Sequence, residues 1–468
     1  MPLHNLAFWF CAFFLAGIFL ISIFNNFLIA LVISLLVVSY LVFLRKYIFA
    51  LLALAMILGA GYYQIFGVVQ KSQTLIRFDE KIEFQGIVKD AQKSATSQQL
   101  ILDLELPLNG KVRINAQRYP DFNYGDLVNV TGVIKNPPAR SENYYKKEGI
   151  SGIVSFPEIR LLETGRGNPA LAALFSFKES IENVFRKILP QEKAAFLSGI
   201  TLGERESFSK ELEEKMSLSG TTHLVALSGY NITVIALAIG WLFGSFLARR
   251  ASFYLSVAVI VLFVLMAGAE ASVVRAAIMG IIALVAQHTE RAHSVRNAII
   301  IAAFLMVLAN PRVLVFDLGF QLSFAALLGI IYISPVLKKV LKIQNQGFLN
   351  WRENLVTTLS AQLAVVPFLL GNFGAFSLTS FLANILVLEA VPVTMGLGFL
   401  AGGLGLMTDF LAKIIGWLLN ILIGYEFWVI NIFSKITLPI AVESFGFLPA
   451  IIYYVLLVGL IYKLHKLS

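Results

Sequence analysis

The sequence is poor in charged residues and almost devoid of cysteine. Lys, Arg, Asp and Glu make up 14% of the 468 residues, whereas soluble domains average about 25%. The single cysteine, Cys11, excludes an intrachain disulfide and any cysteine-based metal cluster. Because 58% of the residues are hydrophobic, the composition predicts a protein of the lipid bilayer.

Residue patterns that support catalysis are also missing. The five histidines do not fall at a recognisable metal-ligand spacing. Gly110-Lys111 is followed by valine, which does not fit a phosphate-binding Walker loop. Ser228 lacks the Gly-x-Ser-x-Gly setting of hydrolases. We therefore expect no catalytic residue, no metal and no cofactor, and we do not expect an enzyme.

Long apolar runs occupy both ends of the chain. Runs at 6–24, 27–44 and 47–69 come first, and each approaches or reaches the roughly 17–25 residues that span a bilayer as a helix. About eight or nine more spans follow after a polar segment. The predicted fold class is a polytopic α-helical membrane protein with about 11–12 transmembrane helices.

Basic residues concentrate at the predicted helix ends, as at Arg45-Lys46 and Arg249-Arg250. The positive-inside rule assigns such ends to the cytoplasm. We therefore expect a multi-pass protein of the inner membrane with both termini in the cytoplasm. This topology accounts for the net charge of +9 without a nucleic acid.

Charged residues return between Arg77 and Glu163, in short stretches of alternating polarity that are typical of strands. Five or six short strands predict a small extracytoplasmic β-barrel of the OB type. Its candidate DNA contacts are Lys111, Arg113, Arg118 and Tyr119. A solvated strand face is the alternative reading of these residues, and the domain itself is also plausible as a spacer or assembly module.

Between Pro169 and Gly220, apolar residues recur at helical spacing among basic ones, which predicts amphipathic helices along the membrane interface. The predicted organisation is three transmembrane helices in 1–70, the OB-like domain in 71–166, interfacial helices in 167–220 and a second membrane domain in 221–468.

The segment 222–231, Thr-His-Leu-Val-Ala-Leu-Ser-Gly-Tyr-Asn, resembles the His-Leu-Leu-Ala-Ile-Ser-Gly-Leu-His signature of the ComEC-type competence proteins. Asn231 departs from it, since the usual pattern has a second histidine there. Further ordered matches lie at 196–204, 268–277, Asn310-Pro311 and 319–326. Each match alone is short and weak, but together they are specific.

The resemblance implies an inner-membrane channel that takes up single-stranded DNA during natural transformation, with 221–468 as its competence-type channel domain. It also implies a cytoplasmic helicase or translocase, a DNA receptor and a separate nuclease as partners. Larger family members continue into a C-terminal metallo-β-lactamase-like domain, and we expect a form that lacks it. The oligomeric state is not indicated.

Polar groups inside the apolar segments are the candidates for a translocation path. Ser228-Gly229 with Asn231 and Thr233 is typical of discontinuous helices that line a cavity. Close helix packing with interhelical hydrogen bonds is the alternative. The residues predicted to line the path or to form the channel motif are His223, Ser228, Gly229, Asn231, Thr233, Glu270, Arg275, Asp317, Gln321, Ser323, Gln362 and Asn384.

Charges within a membrane helix cost at least about 2.5 kcal/mol unless they are paired or hydrated. We expect a helix to begin near Glu270, with Arg275 one turn deeper as a pore-lining or structural residue, or as a simple interface charge. Gln321 fits helix packing equally well. Two other functions stay open: secondary transport of a small solute or ion, and a non-conducting scaffold paralogue.

Overall fold

The computed structural model of the chain comprises two compact units. One unit contains Met1–Phe177 and Ile239–Asp317, and the other contains Lys178–Ala238 and Leu318–Ser468. The structure describes residues 3–72, 76–93, 96–138, 141–204, 208–225, 232, 247–288, 294–341, 351–377, 379–436, 439–441 and 445–467.

Apolar helices open the first unit: α1 (Leu3–Phe24), α2 (Phe27–Phe43), α3 (Tyr47–Ala53) and α4 (Ala55–Ser72). The first two breaks lie where the sequence predicts them, whereas the break at Leu54 interrupts the single span expected over 47–69. Glycines allow α1 and α4 to pack closely, because a Cβ at Gly17 would overlap the backbone of α4.

The polar segment after α4 folds into a six-stranded sheet. Its strands are β1 (Lys81–Lys93), β2 (Ser97–Leu104), β3 (Lys111–Gln117), β4 (Leu127–Val133), β5 (Ile150–Ser155) and β6 (Glu158–Glu163), with the helix α5 (Glu142–Glu148) between β4 and β5. Burial alternates along β2 and β3, as the sequence pattern predicts. Side chains such as Leu100, Val112 and Ile114 form the fully buried core.

The strand order is β5-β3-β2-β1-β4-β6. The pairing of β3 with β5 is parallel, whereas the other pairings in this sheet are antiparallel. β5 and β6 lie at the two edges, so these strand pairings do not close the sheet. One bridge, between Lys135 and Ile153, connects β5 to the chain just after β4. The closed OB-type barrel therefore stays a prediction.

The rest of the described chain is mostly helical. In chain order its helices are α6 (Pro169–Ile188), α7 (Gln191–Leu202), α8 (Lys210–Ser219), α9 (Thr222–Val225), α10 (Arg249–Met266), α11 (Ala271–His288), α12 (Val295–Ala309), α13 (Val313–Phe316), α14 (Leu318–Tyr332), α15 (Ser334–Val340), α16 (Trp351–Phe373), α17 (Ser380–Gly405), α18 (Asp409–Lys435) and α19 (Phe447–Leu467). Two short strands, β7 (Ala375–Ser377) and β8 (Pro439–Ala441), pair with each other.

The amphipathic helix α6 packs part of its apolar face on protein. A Cβ at Gly402 or Gly405 of α17 would contact Ile181 or Val184, so these glycines admit α6 at close range. The following helix α7 is buried from Ala194 to Leu202. The placement of these helices along the membrane interface stays a prediction, as do the predicted domain boundaries.

Several helices are long and apolar enough to cross a bilayer. In the described part of the chain these candidate spans are His4–Phe24, Tyr47–Gln70, Leu318–Val340, Leu355–Phe373, Ser380–Gly405 and Asp409–Lys435. Shorter apolar helices cover Phe27–Phe43, Arg250–Met266, Ala271–Ala286, Val295–Ala309 and Leu448–Leu464. The predicted class, a polytopic helical membrane protein, is confirmed. The count of 11–12 spans stays a prediction.

Candidate functional site

The predicted path residues are divided between the two units. Glu270, Arg275 and Asp317 belong to the first unit. The second unit contains His223, Gln321, Ser323, Gln362 and Asn384. Of the signature segment, the structure describes the short helix α9, which carries His223 on its backbone. Ser228, Gly229, Asn231 and Thr233 lie outside the described residues.

The chain reaches the signature segment through a closely packed turn. Gly220 ends α8 with a φ of 71°, and a Cβ at this position would overlap the side chain of Ser380. Glycine is therefore required for both backbone conformation and space. On either side of the glycine, the hydroxyls of Ser219 and Thr221 are fully buried and lie 2.8 Å apart.

Two predicted residues, Gln362 and Asn384, lie near the same serine. The Nε2 of Gln362 in α16 donates to the Oγ of Ser380, 3.2 Å away. Asn384 lies one turn after Ser380 on α17 and is 1% exposed. We call the set Ser219, Thr221, Gln362, Ser380 and Asn384 the polar corner.

Asn384 is the exceptional member of the polar corner. Its Oδ1 is buried and has no hydrogen-bond partner among the described residues. A buried acceptor without a partner costs about 1–3 kcal/mol. A requirement of folding alone does not account for such a group, so Asn384 is a candidate for a functional contact.

Glu270 lies just before α11 and Arg275 lies within it, as expected. The preceding turn has positive φ angles at Gly268 and Ala269, and the carbonyl oxygen of Glu270 accepts from the N–H of Val274 at 2.9 Å. The helix thus begins at Ala271, and Arg275 lies about one turn along it. The start of the helix is confirmed, whereas the pore-lining role of Arg275 stays a prediction.

Asp317 has a specific partner in the sheet domain. Its Oδ2 lies 3.0 Å from the Nζ of Lys147 in α5, and Asp317 is 6% exposed. Burial lowers the pKa of Lys147, but Glu148 and Asp317 outweigh this effect and hold the pKa above its usual value. The carboxylate is therefore engaged between two parts of the first unit, an arrangement that sequence spacing did not indicate.

Gln321 and Ser323 lie on α14, which packs tightly on α16. A Cβ at Gly329 would collide with the carbonyl oxygen of Ser360 and approach the side chain of Ala364. Small residues at this contact agree with the packing interpretation of the segment. The buried Oγ of Ser323 has no hydrogen-bond partner among the described residues. Both residues stay candidates for the path.

The sequence interpretation did not single out Glu426, the most deeply buried acid in the described part of the second unit. This residue of α18 is 0% exposed, and its Oε1 accepts from the Oγ1 of Thr394 at 2.9 Å. Its Oε2 has no hydrogen-bond partner within the described chain. The available signal was an acid near the middle of an apolar segment, Tyr425-Glu426-Phe427.

The candidate DNA contacts of the sheet domain fall into separate groups. Arg113 lies 5.9 Å from the ring centroids of Tyr144 and Tyr145. Arg118 binds Asp121 and lies 5.1 Å from the ring centroid of Tyr119. Lys111 is an exposed residue at the start of β3.

Tyr119 borders a groove on the sheet domain. The groove has a volume of about 200 Å³, and its wall includes Tyr119, Pro120, Phe156 and Pro157. Tyr119 and Phe156 are 74% and 65% exposed. Exposed rings of this kind are able to stack on nucleobases.

The helices and the sheet define the class of the protein: a multi-pass helical membrane protein with one β domain between its membrane segments. Within the residues that the structure describes, no three His, Cys, Asp or Glu side chains group in a way that fits a metal ion.

The competence protein family model matches residues 200–467, more than half of the chain, and the chain belongs to this family. ComE operon protein 3 of Bacillus subtilis (strain 168) is 26% identical over 230 residues. This match covers 49% of the chain and 29% of the relative, so the chain matches less than a third of that protein's length. No solved structure matches the chain.

Proposed function

We propose that the protein is an inner-membrane channel for the uptake of single-stranded DNA during natural transformation. The observation that carries the proposal is family membership over residues 200–467, a range that includes the signature segment and the polar corner. The expected partners are a DNA receptor, a cytoplasmic helicase or translocase and a separate nuclease. The β domain is assigned to the outer side, and both termini to the cytoplasm.

Chemistry at the polar corner supports this function. A polyanion needs a hydrated path of moderate affinity, because a densely cationic path would retain it and a dry path would impose a large desolvation cost. Neutral groups such as Gln362 and Asn384 meet this requirement, and in our proposal the path passes beside the polar corner.

We assign the β domain to the OB type and to an early DNA contact. Support for the fold comes from the parallel pairing of β3 with β5 and from the bridge between Lys135 and Ile153. The exposed rings of Tyr119 and Phe156 are suited to stacking, and Arg118 adds positive charge beside Tyr119.

DNA uptake by cells tests the proposal. The gene is deleted, the strain is complemented with the wild type or with Asn384→Leu, and labelled external DNA is followed into the cytoplasm. We expect the deletion to abolish entry and Asn384→Leu to lower it by about tenfold, as the loss of one functional contact would. Leu382→Ala changes an exposed side chain on the same helix and is the matched control.

Normal entry of DNA in the deletion strain would contradict the proposal and would favour a non-conducting scaffold. Normal entry in the Asn384→Leu strain, with the variant present at the wild-type level, would remove the polar corner from the path.

Glu426 favours a second candidate function, secondary transport of a small solute or ion. Buried membrane acids are common in such transporters, where they bind the coupling ion. Proteoliposomes separate the two functions, because a channel for DNA passes labelled single strands. A transporter takes up a small solute or ion and excludes the strand.

A further inference from the structure

The segment 310–317 joins α12 to α14, and the sheet domain contacts it through the C-terminal end of α5. These two regions lie more than 160 residues apart in the sequence. Within the first unit, the contact therefore attaches the β domain at a second place, besides the chain connection through α4.

Side chains of this segment donate to the last carbonyls of α5. The Nδ2 of Asn310 donates to the carbonyl oxygen of Lys147 at 2.9 Å. The Nη1 of Arg312 donates to the carbonyl oxygen of Lys146 at 2.8 Å. Carbonyls at a helix C-terminus lack intrahelical partners, and a cation there also complements the helix dipole.

The ion pair between Asp317 and Lys147 forms the other half of the contact. Its 3.0 Å distance joins a nearly buried carboxylate to an ammonium whose side chain is 21% exposed. Partial burial makes the loss of one partner costly, because the other charge then stays desolvated. Lys147 also lies 2.8 Å from Glu148, so reversing its charge disturbs this contact more than reversing one charge of an exposed surface pair would.

The geometry of segment 310–317 suits a rigid attachment. The Oδ1 of Asn310 accepts from the backbone N–H of Arg312 at 3.1 Å, which holds both donors in one arrangement. The guanidinium of Arg312 also lies 5.9 Å from the ring centroid of Phe66 in α4. Burial lowers the pKa of Arg312, in agreement with its position between α5 and α4.

We propose that segment 310–317 is a latch that fixes the orientation of the β domain on the membrane helices of the first unit, and that DNA uptake requires this latch to be closed. The docking of the β domain is inferred from the contacts of Asn310, Arg312 and Asp317. The requirement for a closed latch rests on the proposed function, because a fixed orientation matters where a DNA strand must pass from one domain to the next.

This inference gives Asn310-Pro311 and Asp317 a common purpose. The sequence resemblance singled out the first pair, and Asp317 was predicted as a path residue. In the latch, the side chains of Asn310 and Asp317 position the β domain. Asn310, Arg312 and Asp317 are thus positioning residues.

The test uses the full-length protein in lipid nanodiscs and in transformable cells. Lys147→Asp and Asp317→Lys each place like charges together, and the double variant restores an opposite pair. We measure hydrogen–deuterium exchange in peptides from 142–148 and 310–317, and transformation in the cells. Exchange in 97–104, inside the sheet, reports whether the β domain stays folded.

We expect each single variant to raise exchange in both latch peptides and to lower transformation by about tenfold, a typical coupling effect. Recovery of both readouts is expected in the double variant. Glu142→Gln is the matched control, because the Glu142 side chain pairs with Lys146 at the exposed face of α5. We expect this variant to behave as the wild type.

Asn310→Asp provides a second route if a charge-reversed chain fails to fold. It keeps the size of the side chain but turns a donor into an acceptor that faces the carbonyl of Lys147. Unchanged exchange in the latch peptides of Lys147→Asp or Asn310→Asp, or no recovery in the double variant, would overturn the latch.

Raised exchange with unchanged transformation would overturn the requirement for a closed latch. A wild-type strain that takes up no more DNA than the deletion strain would overturn the proposed function, and the requirement that rests on it. In that case the exchange data would still decide whether segment 310–317 docks the β domain.

Discussion

The β domain and the second unit differ in how their buried polar groups are hydrogen-bonded. Gln98, fully buried in β2, donates from its Nε2 to the carbonyl oxygens of Gln117 and Pro120 at 2.8 and 2.6 Å. In the second unit, the Oδ1 of Asn384 and the Oε2 of Glu426 have no such partner among the described residues.

This difference separates structural polar groups from functional candidates. Among the described residues of the β domain, no buried side-chain nitrogen or oxygen lacks a hydrogen-bond partner. Its buried amide therefore stabilises the fold directly. In the second unit, the buried acid and amide impose a desolvation cost that their described contacts do not fully offset. Stability alone does not explain why they are present.

Gln98→Ala is expected to have the largest effect on stability. The substitution removes the donor to the carbonyl oxygens of Gln117 and Pro120, whose hydrogen bonds with Gln98 are part-buried, at a cost of about 2 kcal/mol to the β domain. Hydrogen exchange of the strands in the full-length protein measures this loss. Gln99→Ala, at a neighbouring half-buried position, is the control. Wild-type protection in Gln98→Ala would contradict the structural role.

Glu426→Leu is expected to stabilise the protein, in contrast to Gln98→Ala. Removing the buried acid should raise the thermal stability of the protein by about 1 kcal/mol, because leucine avoids the desolvation cost. The hydroxyl of Thr394 keeps a partner in this variant, since it can donate instead to the carbonyl oxygen of Ala390, 3.2 Å away. Thermal unfolding in nanodiscs supplies the measurement.

Thr394→Val tests the other side of the hydrogen bond between Thr394 and Glu426. It removes the described hydrogen bond to Glu426 and should lower stability by about 1 kcal/mol. If both variants proved destabilising, Glu426 would be a structural group like Gln98, and the contrast between the two regions would fail.

Glu182→Gln is expected to have the smallest effect. Burial, and then the negative charge of Glu204, raise the pKa of Glu182 although Lys178 and Arg186 oppose the shift. A raised pKa in the folded state means that the acid contributes most at low pH and that this contribution is lost as pH rises through the folded pKa.

The glutamine variant should therefore gain stability relative to the wild type between acidic and neutral pH, by less than about 1 kcal/mol. Unfolding curves recorded across this pH range test the expectation. Glu179→Gln, at an exposed position of the same helix, is the control. A difference that does not change with pH would show that Glu182 is not titrating in the folded protein.

Local sequence patterns were sufficient to predict the elements whose structure depends on neighbouring residues in the chain. The alternation of polar and apolar residues predicted the strands, since successive side chains in a strand point to opposite faces. Length and hydropathy predicted the membrane helices for a similar reason, because each helix satisfies its own backbone. The helix α5 was not predicted.

The roles of single polar residues depended on contacts between distant segments. The sequence analysis placed Asp317 among the path candidates, and the structure pairs it with Lys147 from α5. Only the folded chain brings Gln362 of α16 to Ser380, whereas Asn384 follows Ser380 by one helical turn. Glu426 was overlooked because the interpretation followed the family motifs.

The amino-acid sequence by itself determined the class of the protein, its membrane helices, the strands of its β domain and its family. These follow from composition, periodicity and ordered motifs, which are local properties of the chain. Tertiary structure alone decided the polar corner, the burial of Glu426 and the latch at segment 310–317. Hydrogen bonds and ion pairs act over a few ångströms, so partners far apart in sequence are identified only when folding brings them together.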